Sequence, residues 1–141
     1  MEQLYTYRSQ IQEITTIRED LAQLMSSWAI PDSVMRQIRL IIEEIFSNII
    51  RFAFNDNLEH MVEVQLKMID DQISIQITDD GIPFNPLEYH PETSSDPASS
   101  IDEGMGLTLI KTFSNSITYQ RGENHNRLLI TKKIKGNGPR V

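Results

Sequence analysis

The chain has no cysteine in its 141 residues, which excludes a disulfide framework, a thiolate zinc site and a cysteine nucleophile. Histidine is nearly as scarce. His60, His90 and His125 are scattered without ligand spacing, and each reads as a solvated loop residue. No apolar run approaches a membrane span, and the N-terminus lacks the basic-then-apolar pattern of a secretory signal, so the expected address is cytoplasmic. Positive charge is in deficit: 13 Lys and Arg against 20 Asp and Glu leave a formal net charge of −7. Coating nucleic acid or an anionic membrane needs the opposite balance, so neither is an expected partner.

What remains is ordinary for a globular protein, with 39% apolar and 23% charged residues. The length fits one domain over residues 1–141 with a sizeable core. "QLYTYRS" alternates like an edge strand. From Ile11 to Trp28 apolar residues recur at helical spacing. Pro31 and Asp32 suit the start of a second helix, which is expected to run to about Ala53. "MVEVQLKMI" and "QISIQIT" read as two strands joined by a tight hairpin at Asp70-Asp71. Residues 82–103 hold four prolines and little apolar periodicity, too long a connection to be idle. A short helix at "GMGLTLIKTF" and two closing strands, "SITYQR" and "RLLITKKI", follow. This order predicts an α+β fold, a two-layer α/β sandwich with the helices on one face of a mixed, largely antiparallel sheet.

Three stretches carry chemistry. On the second helix, at about 100° per residue, the apolar stripe gathers Val34, Ile38, Ile41, Ile42, Ile45, Ile49 and Phe52. Glu44 and Asn48 stand one turn apart at its border, with Glu43 on the solvent side. A carboxylate there can take a proton, and an amide oxygen suits Mg2+ completed by water and phosphate. Such a border belongs to any amphipathic helix, so the pair alone decides nothing. Next, "ITDDGIPFNP" puts Asp79 at a strand end and Gly81 two residues on. That carboxylate can accept from an exocyclic amine, the glycine lets a flat ring approach the backbone, and Pro83 and Phe84 can cover one side. An ordinary acidic turn has the same letters. Third, Gly104 and Gly106 open the short helix, where backbone amides form a phosphate cradle.

Glu-x-x-x-Asn on a helix, Asp-x-Gly after a strand and a long segment ending in Gly-x-Gly-Leu, in that order, resemble the ATP-binding domain shared by gyrase and histidine kinases, the GHKL or Bergerat fold. Within it, "EEIFSNIIRFAF", "DDGIPFNP" and "GMGLTLIKTFSNSITY" are most similar to the bacterial anti-sigma-factor serine/threonine kinases. The resemblance implies ATP and Mg2+ as cofactors and an ATP lid at about 82–106. It implies Glu44 as general base and Asn48 as the Mg2+ ligand. Asp79 would meet the adenine amine, with Gly81 beneath the ring and Phe84 beside it, leaving Asp80 a solvated neighbour. Gly104, Met105, Gly106 and Leu107 would receive the phosphates. The implied partner is a small STAS-type anti-sigma-factor antagonist. A sigma factor as a second partner and a homodimer are compatible with the resemblance, as is an ATP-gated binding module without significant kinase activity.

Three departures stand out. Phe52 occupies a position where the family often has histidine, and Asn126-Arg127 stands where many relatives have glycine-threonine, although the asparagine-arginine form is also familiar in the small-kinase branch. No Lys or Arg occurs between Lys67 and Lys111, and the lid carries Glu88, Glu92, Asp96, Asp102 and Glu103 instead. A cation for phosphoryl transfer would come from Arg51, Lys111 or another chain.

Overall fold

Alternating and helical apolar patterns resolve into the expected order of elements in the computed structural model, which describes residues 1–88 and 108–134. Strand β1 (Glu2–Arg8) leads to helices α1 (Glu13–Ser27) and α2 (Asp32–Phe52). Strands β2 (Met61–Ile69) and β3 (Gln72–Asp79) follow, then a 3-10 turn at Pro86–Glu88. Residues 108–113 form α3, ahead of β4 (Ser116–Gly122) and β5 (His125–Lys133). The five strands lie in the order β1-β2-β3-β5-β4. The sheet expected as mixed is antiparallel at every described pairing.

Two hairpins make up most of that sheet. Ile69 pairs with Gln72 across Asp70-Asp71, and Gly122 pairs with His125 across Glu123-Asn124. Asp70 and Asn124 take φ of 55° and 62°, a conformation that Asp and Asn tolerate. The hairpins join along β3 and β5, where Ile75 faces Ile130, Ile77 faces Leu128 and Asp79 faces Asn126.

Val62, Val64, Leu66, Ile73, Ile75 and Ile77 are buried on the helix side of the sheet. The alternate residues, among them Glu63, Lys67, Gln76 and Thr78, occupy the open side, as a half-buried antiparallel sheet requires. Above the sheet, α2 buries Ile38, Ile41, Ile42, Ile45, Phe46 and Ile49. Phe46 lies outside the expected stripe. It is fully buried and meets the ring of Tyr7 on β1 edge-on at 6.2 Å, so the buried face of α2 reaches further round the helix, toward the β1 edge of the sheet. The reading of Glu43 changes too. Instead of facing solvent, it receives a two-pronged bond from Arg18 of α1, at 2.8 and 3.1 Å, and lies 3.4 Å from Arg39.

Two polar anchors fix the remaining helices. The Tyr7 hydroxyl donates to Asp20 Oδ2 at 2.8 Å, tying α1 to β1, and burial first, then this bond, pushes the phenol pKa up. Lys132 is buried in β5 and donates to the Phe113 carbonyl at the end of α3, 2.7 Å away. Burial pushes that ammonium's pKa down.

Candidate functional site

Asp79 is the last residue of β3, paired with Val62 on one side and Asn126 on the other. Alternation turns its side chain toward the helix layer, and it is only 4% exposed. Its Oδ1 accepts from the Gly81 amide at 2.8 Å and from Asn126 Nδ2 at 2.9 Å. Burial pushes the carboxyl pKa up, against the pull of those two bonds; Asp80 adds to the rise and Arg121 opposes it.

Gly81 is there for space. Its φ is not left-handed, but a Cβ would fall 2.4 Å from the Ala53 carbonyl oxygen and 2.8 Å from Ala53 Cβ. The same carbonyl accepts from the Ile82 amide at 2.8 Å. The chain leaving β3 is thus pressed against the C-terminal end of α2, an approach that only a residue without Cβ permits.

A pocket opens beside Asp79 and Asn126, walled by Ile49 of α2, Ile77, Leu128, Phe84, Pro86 and Tyr119. Phe84 packs on Phe52 with ring centroids 5.5 Å apart, and the Arg51 guanidinium lies 4.9 Å over the Phe52 ring. Where the family often carries histidine, this chain therefore has an aromatic prop for the pocket wall. The slot offers the groups that a flat heteroaromatic ring bearing an amine would need, an apolar wall and a buried acceptor, but its volume of about 10 Å³ is that of one water, so a ring enters only if Phe84 and Pro86 move aside.

Asn48 and Glu44 are both partly buried on α2. Asn48 precedes the pocket-lining Ile49, and Glu44 lies about 6 Å further toward the start of the helix. Asp79, Gly81 and Phe84 are thus brought to one end of α2, with Asn48 and Glu44 following along it. Gly104, Met105, Gly106 and Leu107, and residues 89–107 of the expected lid, lie outside the described residues. Among residues 82–88, Pro86 is buried against the pocket.

Sequence reasoning missed three residues of the site. Asn126, noted only as a departure, is 3% exposed and bonds to Asp79 and to the Ile82 carbonyl. Tyr119 donates its hydroxyl to Asn126 Oδ1, and Arg121 donates to the Gly81 carbonyl at 2.8 Å. Alternation along "SITYQRG" and "HNRLLITKK" was the available signal, since it puts Tyr119, Arg121, Asn126 and Leu128 on one face. Arg127 then projects to the open side of the sheet, beside Thr6, Glu63 and Thr78.

Nor is His60 a solvated loop residue. It stacks on Phe54 at 4.4 Å, with Nδ1 2.9 Å from Asp80 and Nε2 2.8 Å from Asp56. Carboxylates at both ring nitrogens call for an imidazolium, which alone donates from both. The Asp56 bond first, then Asp80, raises the His60 pKa, and the bond from His60 lowers that of Asp56. Asp80, expected as a solvated neighbour, is 60% exposed and also forms half of this clamp.

The fold is an α+β two-layer domain with a buried carboxyl at the end of its central strand. The family model described as the histidine kinase-like ATPase domain matches residues 7–132, and the chain belongs to that family. Its relatives include a serine/threonine-protein kinase, BtrW, of Bordetella bronchiseptica, 28% identical over 67% of this chain and 67% of the relative. An anti-sigma F factor of Clostridium novyi is 27% identical over 70% of both chains. Among solved structures, the RsbU and RsbW domains of a Mycobacterium tuberculosis protein superpose with a TM-score of 0.67 at 13% identity. That likeness covers 95% of this chain and about a third, 32%, of the other, and it speaks for the fold alone. Among the described residues, no helix is long and apolar enough to cross a membrane.

Proposed function

We propose that this chain is a Mg-ATP-dependent serine/threonine protein kinase of the anti-sigma-factor type. It phosphorylates a small STAS-type antagonist and controls transcription by partner switching, with a sigma factor as the alternate partner. The observation that carries the reading is Asp79, a carboxylate buried at a strand end with Oδ1 held by two N–H donors and an apolar slot beside it. Its other oxygen is the acceptor for the adenine amine, with Gly81, Phe84 and Ile49 around the ring. The names of the relatives, a serine/threonine kinase and an anti-sigma factor, support the protein substrate.

Mg2+ fits the donor set in one way. Among the described residues no group of three His, Cys, Asp or Glu could hold a metal, so Asn48 would contribute one oxygen, with phosphate and water completing the shell. When bound, the ion supplies charge neutralisation along the triphosphate. Glu44 accepts the proton of the incoming serine hydroxyl; that oxygen bonds to the γ-phosphorus as the bond to the β-phosphate oxygen breaks, leaving ADP. Gly104 and Gly106, flanked by Met105 and Leu107, supply phosphate donors as the lid closes.

The second reading is an ATP-gated binding module that transfers little or no phosphate. The stretch from Lys67 to Lys111 without Lys or Arg favours it, and Arg121 is committed at the base of the pocket. Labelled ATP and a candidate antagonist separate the two. A kinase yields phosphoserine, and Glu44→Ala lowers the rate about 10²–10⁴-fold with ATP affinity nearly unchanged. ATP-dependent binding of the antagonist with no phosphoserine by mass spectrometry replaces the kinase with the module.

A further inference from the structure

The Asn126 side chain makes five hydrogen bonds, and their polarity fixes how it sits. Nδ2 donates to Asp79 Oδ1 at 2.9 Å and to the Ile82 carbonyl at 2.8 Å. Oδ1 accepts from the Phe84 amide at 3.2 Å, from Arg121 at 3.2 Å and from the Tyr119 hydroxyl. Turning the amide end for end would set donor against donor and acceptor against acceptor at every contact except the Tyr119 hydroxyl, which can also accept. One side chain from β5 thereby grips the end of β3, the turn after it and β4. A glycine has nothing to reach with, a leucine lacks the donor, and an aspartate would oppose one carboxylate with another.

We infer that Asn126 is a positioning residue for nucleotide recognition: it locks the Asp79 carboxylate in the orientation and charge state that an amine donor requires. The inference rests on the nucleotide reading above. With the Gly81 amide and Asn126 both on Oδ1, the carboxylate cannot spin, and Oδ2 is the oxygen left to the pocket. Both donors also favour the anion over the acid. The other charges near Asp79 are Asp80 beside it, Arg121 from β4 and, through Asp80, His60 before β2; Glu63, His125 and Arg127 border it on the open face of the sheet, and from α2 the pocket is met by apolar Ile49.

Two readouts test this on the intact protein. The first is the titration of the Asp79 side-chain carboxyl by carbon NMR without nucleotide. The second is the dissociation constant for ADP from pH 5.5 to 8.5, as the ratio of variant to wild type, which cancels titration of the ADP phosphates. Asn126→Ala is expected to move the Asp79 midpoint upward and to weaken ADP about tenfold or more at the acid end, with the deficit shrinking toward pH 8.5. In Asn126→Asp two carboxylates share the site, so the upper midpoint of the pair rises further. If the alanine variant does not fold, the near-isosteric aspartate keeps the shape, and Tyr119→Phe, which removes one donor to the amide, gives a smaller shift of the same sign. An Asp79 midpoint that stays put, or an ADP deficit equal at every pH, reduces Asn126 to a packing role and overturns the inference. Wild-type protein that fails to bind ADP overturns the nucleotide reading instead, and the two failures are told apart by that control.

Discussion

At the end of β3 a carboxyl group of 4% exposure is held by two N–H donors, fewer partners than water would supply to the ionised form. Because Asp79's folded pKa is raised, its ionised form destabilises the fold above that pKa, and protonation relieves the cost as pH falls. Asp79→Asn preserves an acceptor for both donors and removes the charge. It is expected to melt at or above the wild-type temperature at pH 8, with the gap narrowing toward pH 5, while ATP affinity falls at least about tenfold. Thermal melts beside calorimetric titration check both halves; a lower melting temperature at pH 8 contradicts the buried-charge account. His60 runs the other way. Its folded pKa is raised, so its stabilisation is full below the unfolded value of about 6.5 and is lost as pH rises through the folded value. Asp56, lowered by the same bond, contributes above its own unfolded value and loses that contribution as pH falls through the folded one. His60→Gln should therefore cost more at pH 6 than at pH 9, read from urea midpoints, and a constant gap would mean that stacking on Phe54 accounts for the whole effect.

Among the elements, α1 ends in a way that its sequence resists. The Ile30 amide bonds to the Met25 carbonyl at 2.9 Å and the Ala29 amide to Ser26 at 3.2 Å, with Ala29 at φ 55°. This paired ending normally employs glycine at the left-handed position. Ala29→Gly is expected to raise stability by about 1 kcal/mol, measured by denaturant unfolding, since the strain of Cβ there outweighs the entropy added to the unfolded chain. Helices and hairpins were legible because their signal is local: α1, α2, β2 and β3 follow apolar spacing within a few residues of the expected ends. Phe46 and Glu43 were not, since a single helical wheel assumes one buried face. Their partners, Tyr7 on β1 for Phe46 and Arg18 on α1 for Glu43, are distant in sequence.

For the whole molecule, strand order was the illegible part. Nothing in the chain says that β5 lies between β3 and β4. Asp79 and Gly81 could be picked out, because a strand end followed by Asp-x-Gly is a local pattern. Asn126 could not be joined to them, because it is 47 residues from its partner. That separation has a kinetic meaning. Each hairpin closes over a two-residue turn, an event of about 1–10 μs. The β3–β5 pairing must first close a long loop, whose entropy is lost before any contact rewards it. The pocket therefore exists only after the two hairpins have zipped together, and a nucleotide there would grip a late-formed pairing. Interactions absent from the transition state act on the unfolding rate. Saturating ADP is expected to slow unfolding and leave the refolding arm of the chevron unmoved; a refolding rate that climbs with ADP would instead put the β3–β5 pairing in the folding nucleus.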